Sequence, residues 1–293
     1  MKNFIQHTIF PILAAIIWGL AFSAQSICSR YLPPFAINAF RGLLAFAVLA
    51  CAFRLLKLKA GMRKDVIIGS LICGFALFAA SNFQQFGISE TSAGKSGFIT
   101  ALYLVLVPVF SMIVFRKRTS LRIWIAVAIA VVGMYFLCIS GEFTLEKGDI
   151  ALLLCAFLFA AQILGIDFYS ERVHPVALSA GQFLVSGLLS LLCSLFFESV
   201  TVSDFAPCIW QLLYVALFSS CIAYTLQIFA QKGGNAAVVT LLLSLESVFA
   251  LIGGMIILGE KLTSRELLGC VLMAFAILLT QLPEREDTKH VTD

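Results

Sequence analysis

Trp18-Gly19-Leu20-Ala21, leading to Pro34, is echoed by Phe159-Ala160-Ala161-Gln162, leading to Pro175, about 141 residues along the chain. Each copy holds five long apolar segments. They lie near 8–28, 35–53, 66–86, 96–115 and 121–138, then 150–168, 176–197, 209–230, 235–258 and 265–281. About 20 apolar residues in a helix cross a hydrocarbon core of about 30 Å. Strands of an outer-membrane barrel would alternate apolar and polar residues, and these segments do not. The expectation is an all-α integral membrane protein of ten transmembrane helices. Because five is odd, the second copy enters the bilayer from the side opposite to the first. Residues 8–138 and 149–281 then form two inverted five-helix repeats, and 282–293 is expected to be a disordered cytoplasmic tail. Secondary transporters are commonly built this way, with the substrate site near the midplane between the halves.

Composition agrees. The 293 residues are 61% hydrophobic and 12% charged, whereas charge is near a quarter in soluble domains. The net charge of +4 does not point to nucleic acid, because the positive residues sit in short connections between spans. With the N-terminus inside, the inner connections and termini hold 14 Lys and Arg against 5 outside, and Arg41 lies within a span. Positive charge stays cytoplasmic, so both termini are expected there, in a multi-pass protein of the cytoplasmic (inner) membrane. The first span carries Trp18, Gly19 and Gln25 and lacks a small-residue cleavage site, so it reads as a retained helix and not a signal peptide. Eight of the nine cysteines fall inside or at the ends of spans without a CxxC pair. They read as small packing residues, with no disulfide framework and no metal site.

A few polar residues stand out within the spans. Glu246 sits near the middle of the ninth, where a carboxylate costs about 2.5–3.5 kcal/mol on insertion scales. It reads as a proton-exchanging site, as a contact for an amine-bearing substrate, or as a paired glutamate tying helices together. Arg41 lies roughly 9 Å below the outer end of the second span at about 1.5 Å per residue. It is placed either to grip a carboxylate or phosphate or to cap nearby helix ends, and a bridge to Glu246 is open. The third span ends in Ser81-Asn82-Phe83-Gln84-Gln85 and the eighth in Tyr224-Thr225-Leu226-Gln227. These are equivalent positions of the two copies at opposite faces, so Asn82, Gln85, Tyr224 and Gln227 are candidates for two alternating entrances, or for interfacial side chains meeting headgroups. Tyr103 and Gln162 sit inside hydrocarbon and require a partner or water. Trp18 is expected to pack or to wall a cavity, and Asp167 to pair with Arg172.

Trp18-Gly19, Arg41 after Pro34, and Leu258-Gly259-Glu260-Lys261-Leu262-Thr263 after the ninth span resemble the drug/metabolite transporter superfamily, and each half resembles an EamA-type domain. Ser92-Ala93-Gly94 to Pro108, and Gly234-Asn235-Ala236-Ala237 to Glu246-Ser247-Val248-Phe249, fit that family's fourth and ninth helices. The first copy departs at Val114-Phe115-Arg116-Lys117-Arg118, where the Leu-Gly-Glu-Lys stretch is missing. The resemblance implies a secondary transporter of amino acids, amines or related metabolites, often moved outward by alternating access. The expected partners are a small-molecule substrate and membrane lipid, with protons as the candidate coupling ion, no nucleic acid and no cofactor. One chain can enclose the cavity, so a monomer or a homodimer fits.

Enzyme readings fail, and no residue is expected to be catalytic. Gly94-Lys95-Ser96 lacks the leading glycine of a phosphate-binding loop, which falls on Ser89. His7, His174 and His290 lie outside hydrocarbon, without a serine partner or an HExxH pair. The alternatives to a transporter are a flippase for lipid-linked substrates and a sensor or scaffold that has lost transport.

Overall fold

The computed structural model describes residues 2–90, 93–116, 119–138, 146–258 and 263–281. The expected tail and residues 259–262 of the family-like stretch lie outside them. Among the described residues ten helices follow in order: α1 (Ile5–Cys28), α2 (Pro34–Leu55), α3 (Arg63–Glu90), α4 (Ala93–Ala101 and Tyr103–Phe115), α5 (Leu121–Cys138), α6 (Lys147–Tyr169), α7 (Pro175–Phe197), α8 (Val202–Gln231), α9 (Ala236–Leu243 and Glu246–Leu258) and α10 (Ser264–Gln281). Eight are long and apolar enough to cross a membrane, and Leu121–Phe136 of α5 is a shorter apolar helix. The chain is an all-α, multi-pass membrane protein. α3 runs on to Glu90, past the expected end near 86, and the eight cysteines described are free thiols.

The two prolines of the repeat do the same job in each half. Pro34 opens α2 and Pro175 opens α7, where the missing N–H would have had no helical partner. The next N–H groups are satisfied from elsewhere. Glu198, just after α7, accepts from Phe35 N and Ala36 N at 2.9 Å each, and His174 Nδ1 accepts from Val176 N at 3.3 Å. His174 also donates its backbone N–H to Ala60 O at 2.9 Å, tying the α2–α3 connection to the α6–α7 connection.

Packing pairs one half with the other. α2 lies on α7 and α5 on α10; α3 lies on α6 and α7, as α8 lies on α1 and α2; α4 lies on α6, as α9 lies on α1. Exchanging each helix for its counterpart five places along leaves this set of contacts unchanged, so equivalent halves share one interface. Small residues set the separation of α2 from α7: a Cβ on Gly42 would stand 2.8 Å from Gly187 Cα. In lipid, where apolar surface alone does not drive helices together, such close backbone approach supplies the contact.

Gly187→Leu is therefore expected to destabilise the folded protein by about 1–3 kcal/mol or more, as overpacking does. The check is the thermal unfolding midpoint and size-exclusion profile in detergent. Gly97→Ala, where a Cβ would meet nothing within 4 Å, should leave both unchanged.

Candidate functional site

α4 and α9 both break at equivalent points. At Leu102 and at Ser244–Leu245 the chain tightens into i→i+3 bonding: Val105 N to Leu102 O at 3.0 Å in one, Ser247 N to Ser244 O at 3.2 Å in the other. Local chemistry favours the breaks. Pro108 cannot donate to the carbonyl one turn before it. In α9, Ser244 Oγ bonds back to Leu241 O at 2.7 Å and Thr240 Oγ1 to Ala236 O and Ala237 O at 3.0 Å, and back-bonding hydroxyls bend helices. Each second piece opens on a buried polar side chain, and the two meet: Tyr103 Oη donates to Glu246 Oε1 at 3.1 Å.

Arg41 belongs to a second cluster on the same cavity. Its side chain is buried, with Nε donating to Ser220 Oγ and Nη1 to Gln25 Oε1, both at 3.0 Å. Ser220 lies in a π-helical stretch of α8, Val215–Ala223. The widened turns of such stretches often sit at functional sites, and here the Ser219 carbonyl accepts from Trp18 Nε1 at 3.2 Å. Trp18 and Tyr224 meet edge to face, centroids 4.8 Å apart, and Tyr224 meets Phe183 the same way at 5.2 Å. Gly19 lets α1 approach this closely, since a Cβ there would stand 2.8 Å from Glu246 O.

Trp18, Arg41, Tyr103, Gln162, Tyr224, Gln227 and Glu246, each singled out in the sequence, line this one cavity. Its volume is about 40 Å³, room for no more than a few waters at about 10–15 Å³ of probe volume each. A solute of several heavy atoms enters only if helices separate. Arg41 and Glu246 face the same space with separate partners, and among the described residues no ion pair joins them.

The EamA-like transporter family matches the chain twice, over residues 8–139 and 146–282. The chain belongs to that family. An "uncharacterized transporter" of Archaeoglobus fulgidus is 34% identical over 274 residues, 92% of this chain and 84% of that one. The inner membrane transporter YedA of Escherichia coli K12 is 26% identical over 273 residues, 91% and 88% of the two chains. A WAT1-related chloroplastic protein of Arabidopsis thaliana is 25% identical over 304 residues, 97% and 71% of the two. A crystal structure with 17% identity superposes at a TM-score of 0.79, covering 94% of this chain and 96% of its own; it shares the fold. The family and the Archaeoglobus and Escherichia relatives are described as transporters.

In this EamA-like transporter, Asn82 and Gln85 do not line the central cavity. Asn82 accepts from Asn38 Nδ2 at 2.9 Å and donates to Ser190 Oγ at 3.0 Å, linking α2, α3 and α7. Gln85 donates to Ser29 Oγ at 2.6 Å and to Gln25 O at 3.3 Å. Their neighbour Gln84 lines the cavity instead, with Gln25, Thr100 and Ser219. Successive helical residues point about 100° apart, and a run of amides does not say which one faces inward. Gln25 carried a usable signal, being an amide within a span. Arg172 lies over the Phe168 ring at 4.1 Å.

Gln25→Leu removes the acceptor from Arg41 Nη1 and leaves part of a buried guanidinium unpaired. It is expected to lower stability by about 1–3 kcal/mol, read as a lower thermal midpoint in detergent. An unchanged midpoint would show that Arg41 does not depend on this bond.

Proposed function

We propose that this protein is a secondary active transporter that moves small organic solutes (amino acids, amines or related metabolites) outward across the cytoplasmic membrane by alternating access. The observation that carries the reading is the Tyr103–Glu246 bond at 3.1 Å, formed where two helices of opposite halves both break. Discontinuous helices meeting at mid-membrane are how transporters build solute and ion sites. Glu246 is the coupling group: neutral, it is tolerated in hydrocarbon, and ionised, it attracts a cationic amine. Arg41, across the same cavity, is the matching group for a carboxylate. The direction and the cytoplasmic termini rest on the family habit and on the charge asymmetry of the connections.

Rocking of the two halves about this cavity exposes it first to one side and then to the other. A solute biases that equilibrium only as far as its affinity differs between the two states, and an imposed proton gradient supplies the rest. A second reading, flipping of a lipid-linked solute, is favoured by one feature. An apolar cavity of about 690 Å³ lies among α2, α3, α6 and α7, walled by Phe35, Phe78, Phe83 and Leu154, with Lys147 and Glu198 on its lining.

The test is counterflow and gradient-driven transport of radiolabelled amino acids and amines in proteoliposomes. Wild type should respond to a pH gradient, and Glu246→Gln should lose that response by about tenfold or more, equal to about 1.4 kcal/mol of coupling. Full pH-driven transport by the variant would remove Glu246 from the mechanism. Silence toward soluble solutes with movement of a labelled lipid would favour the flippase.

A further inference from the structure

Two residues that line the central cavity each carry a buried amide oxygen with no hydrogen-bond partner, Gln162 Oε1 on α6 and Gln227 Oε1 on α8. Both residues are essentially inaccessible, at 0% and 1% exposure. Native proteins leave few such groups, and each calls for an explanation. Gln85 and Gln231 also hold unpaired oxygens, but they stand away from the cavity. Their amide nitrogens tie helices together, Gln85 to Ser29 Oγ and Gln231 to Ile163 O at 2.8 Å. Gln162 and Gln227 are different because both residues line the space a solute would fill.

Gln162 Nε2 donates to Gln182 Oε1 at 3.0 Å, which leaves Gln162 Oε1 and Gln182 Nε2 without partners. Gln182 holds in α7 the place that Arg41 holds in α2, and the two bonds match: α2 ties to α1 through Arg41–Gln25, and α7 to α6 through Gln182–Gln162. Glu246 adds a third acceptor, since Tyr103 occupies only its Oε1. Glu246, Gln162 and Gln227 line one cavity of about 40 Å³. A primary ammonium is the small group that brings three N–H donors to one point.

We propose that Gln162 and Gln227, with Glu246, recognise the N–H groups of a primary ammonium, so that the transporter distinguishes a primary amine from its N-methylated forms. The inference rests on the amine-transport reading above and sharpens it. Attraction to Glu246 alone would accept a quaternary ammonium of the same charge. A site that depends on hydrogen bonds rejects analogues lacking the donors far more strongly than an apolar pocket rejects an added group.

The experiment uses full-length protein in proteoliposomes, with the amine that wild type carries and its N-methyl, N,N-dimethyl and N,N,N-trimethyl derivatives as competitors. Charge stays constant along that series while donors fall. Each methyl group is expected to weaken competition by about tenfold. Gln227→Leu, and Gln162→Leu made together with Gln182→Leu so that neither amide is orphaned, should flatten the series by weakening the primary amine most. Their solute-free thermal midpoints should hold or rise, because unpaired acceptors are removed. Equal competition by all four forms in wild type overturns the proposal while leaving amine transport standing. So does a lowered midpoint with the series intact, which would make the amides structural. Wild type that carries no amine overturns the transport reading and this inference with it.

Discussion

A carboxyl group buried inside a membrane protein must be answered by the protein, and the site is organised around how Glu246 is answered. Tyr103 reaches it from the other half of the chain. The contact requires α4 and α9 to break at equivalent depths, so that each presents a polar side chain at the start of its second piece. It also requires α1 to come close enough to touch the Glu246 backbone, which Gly19 permits. Broken backbone at membrane depth is tolerated where protein buries it. Here the surrounding helices do so.

Equivalent bonds recur on either side of that centre. Asn38 meets Asn82 at 2.9 Å between α2 and α3, and Ser179 meets Thr225 at 2.9 Å between the counterparts α7 and α8. Arg41–Gln25 and Gln182–Gln162 form the next such pair, at 3.0 Å each. With all four formed, the central cavity has a volume of about 40 Å³, room for a few waters at most. Packed interfaces switch between discrete arrangements more readily than they deform. Bonds of a few kcal/mol in all, repeated in both halves, are the scale on which such a switch can be balanced.

The architecture was legible because lipid imposes a length and a composition on every span, and ten runs near 20 residues leave few alternatives. The duplication was legible in Trp18-Gly19 against Phe159-Ala160 and in Pro34 against Pro175, and the two prolines open equivalent helices. Buried polar residues were conspicuous against an apolar background, which is why Arg41, Tyr103, Gln162 and Glu246 were found and meet in one cavity. The helix breaks were not read from the sequence: hydroxyl back-bonding and tightened turns leave hydropathy unchanged, and Pro108 lies six residues beyond the break at Leu102. Nor was the facing of Asn82, Gln84 and Gln85. One turn of helix carries all three, and only the packing of α3 on α6 and α7 turns Gln84 inward and makes ties of the others.

The most direct measurement of the central claim places a single cysteine at Ala21, on the cavity wall and 1% exposed, in protein otherwise free of cysteine. The variant is treated with a membrane-impermeant thiol reagent in right-side-out and in inverted vesicles. A cavity shared by two halves that open in turn predicts labelling from both sides, slowed in each case by a transported solute. Labelling from one side alone, unaffected by solute, would contradict it.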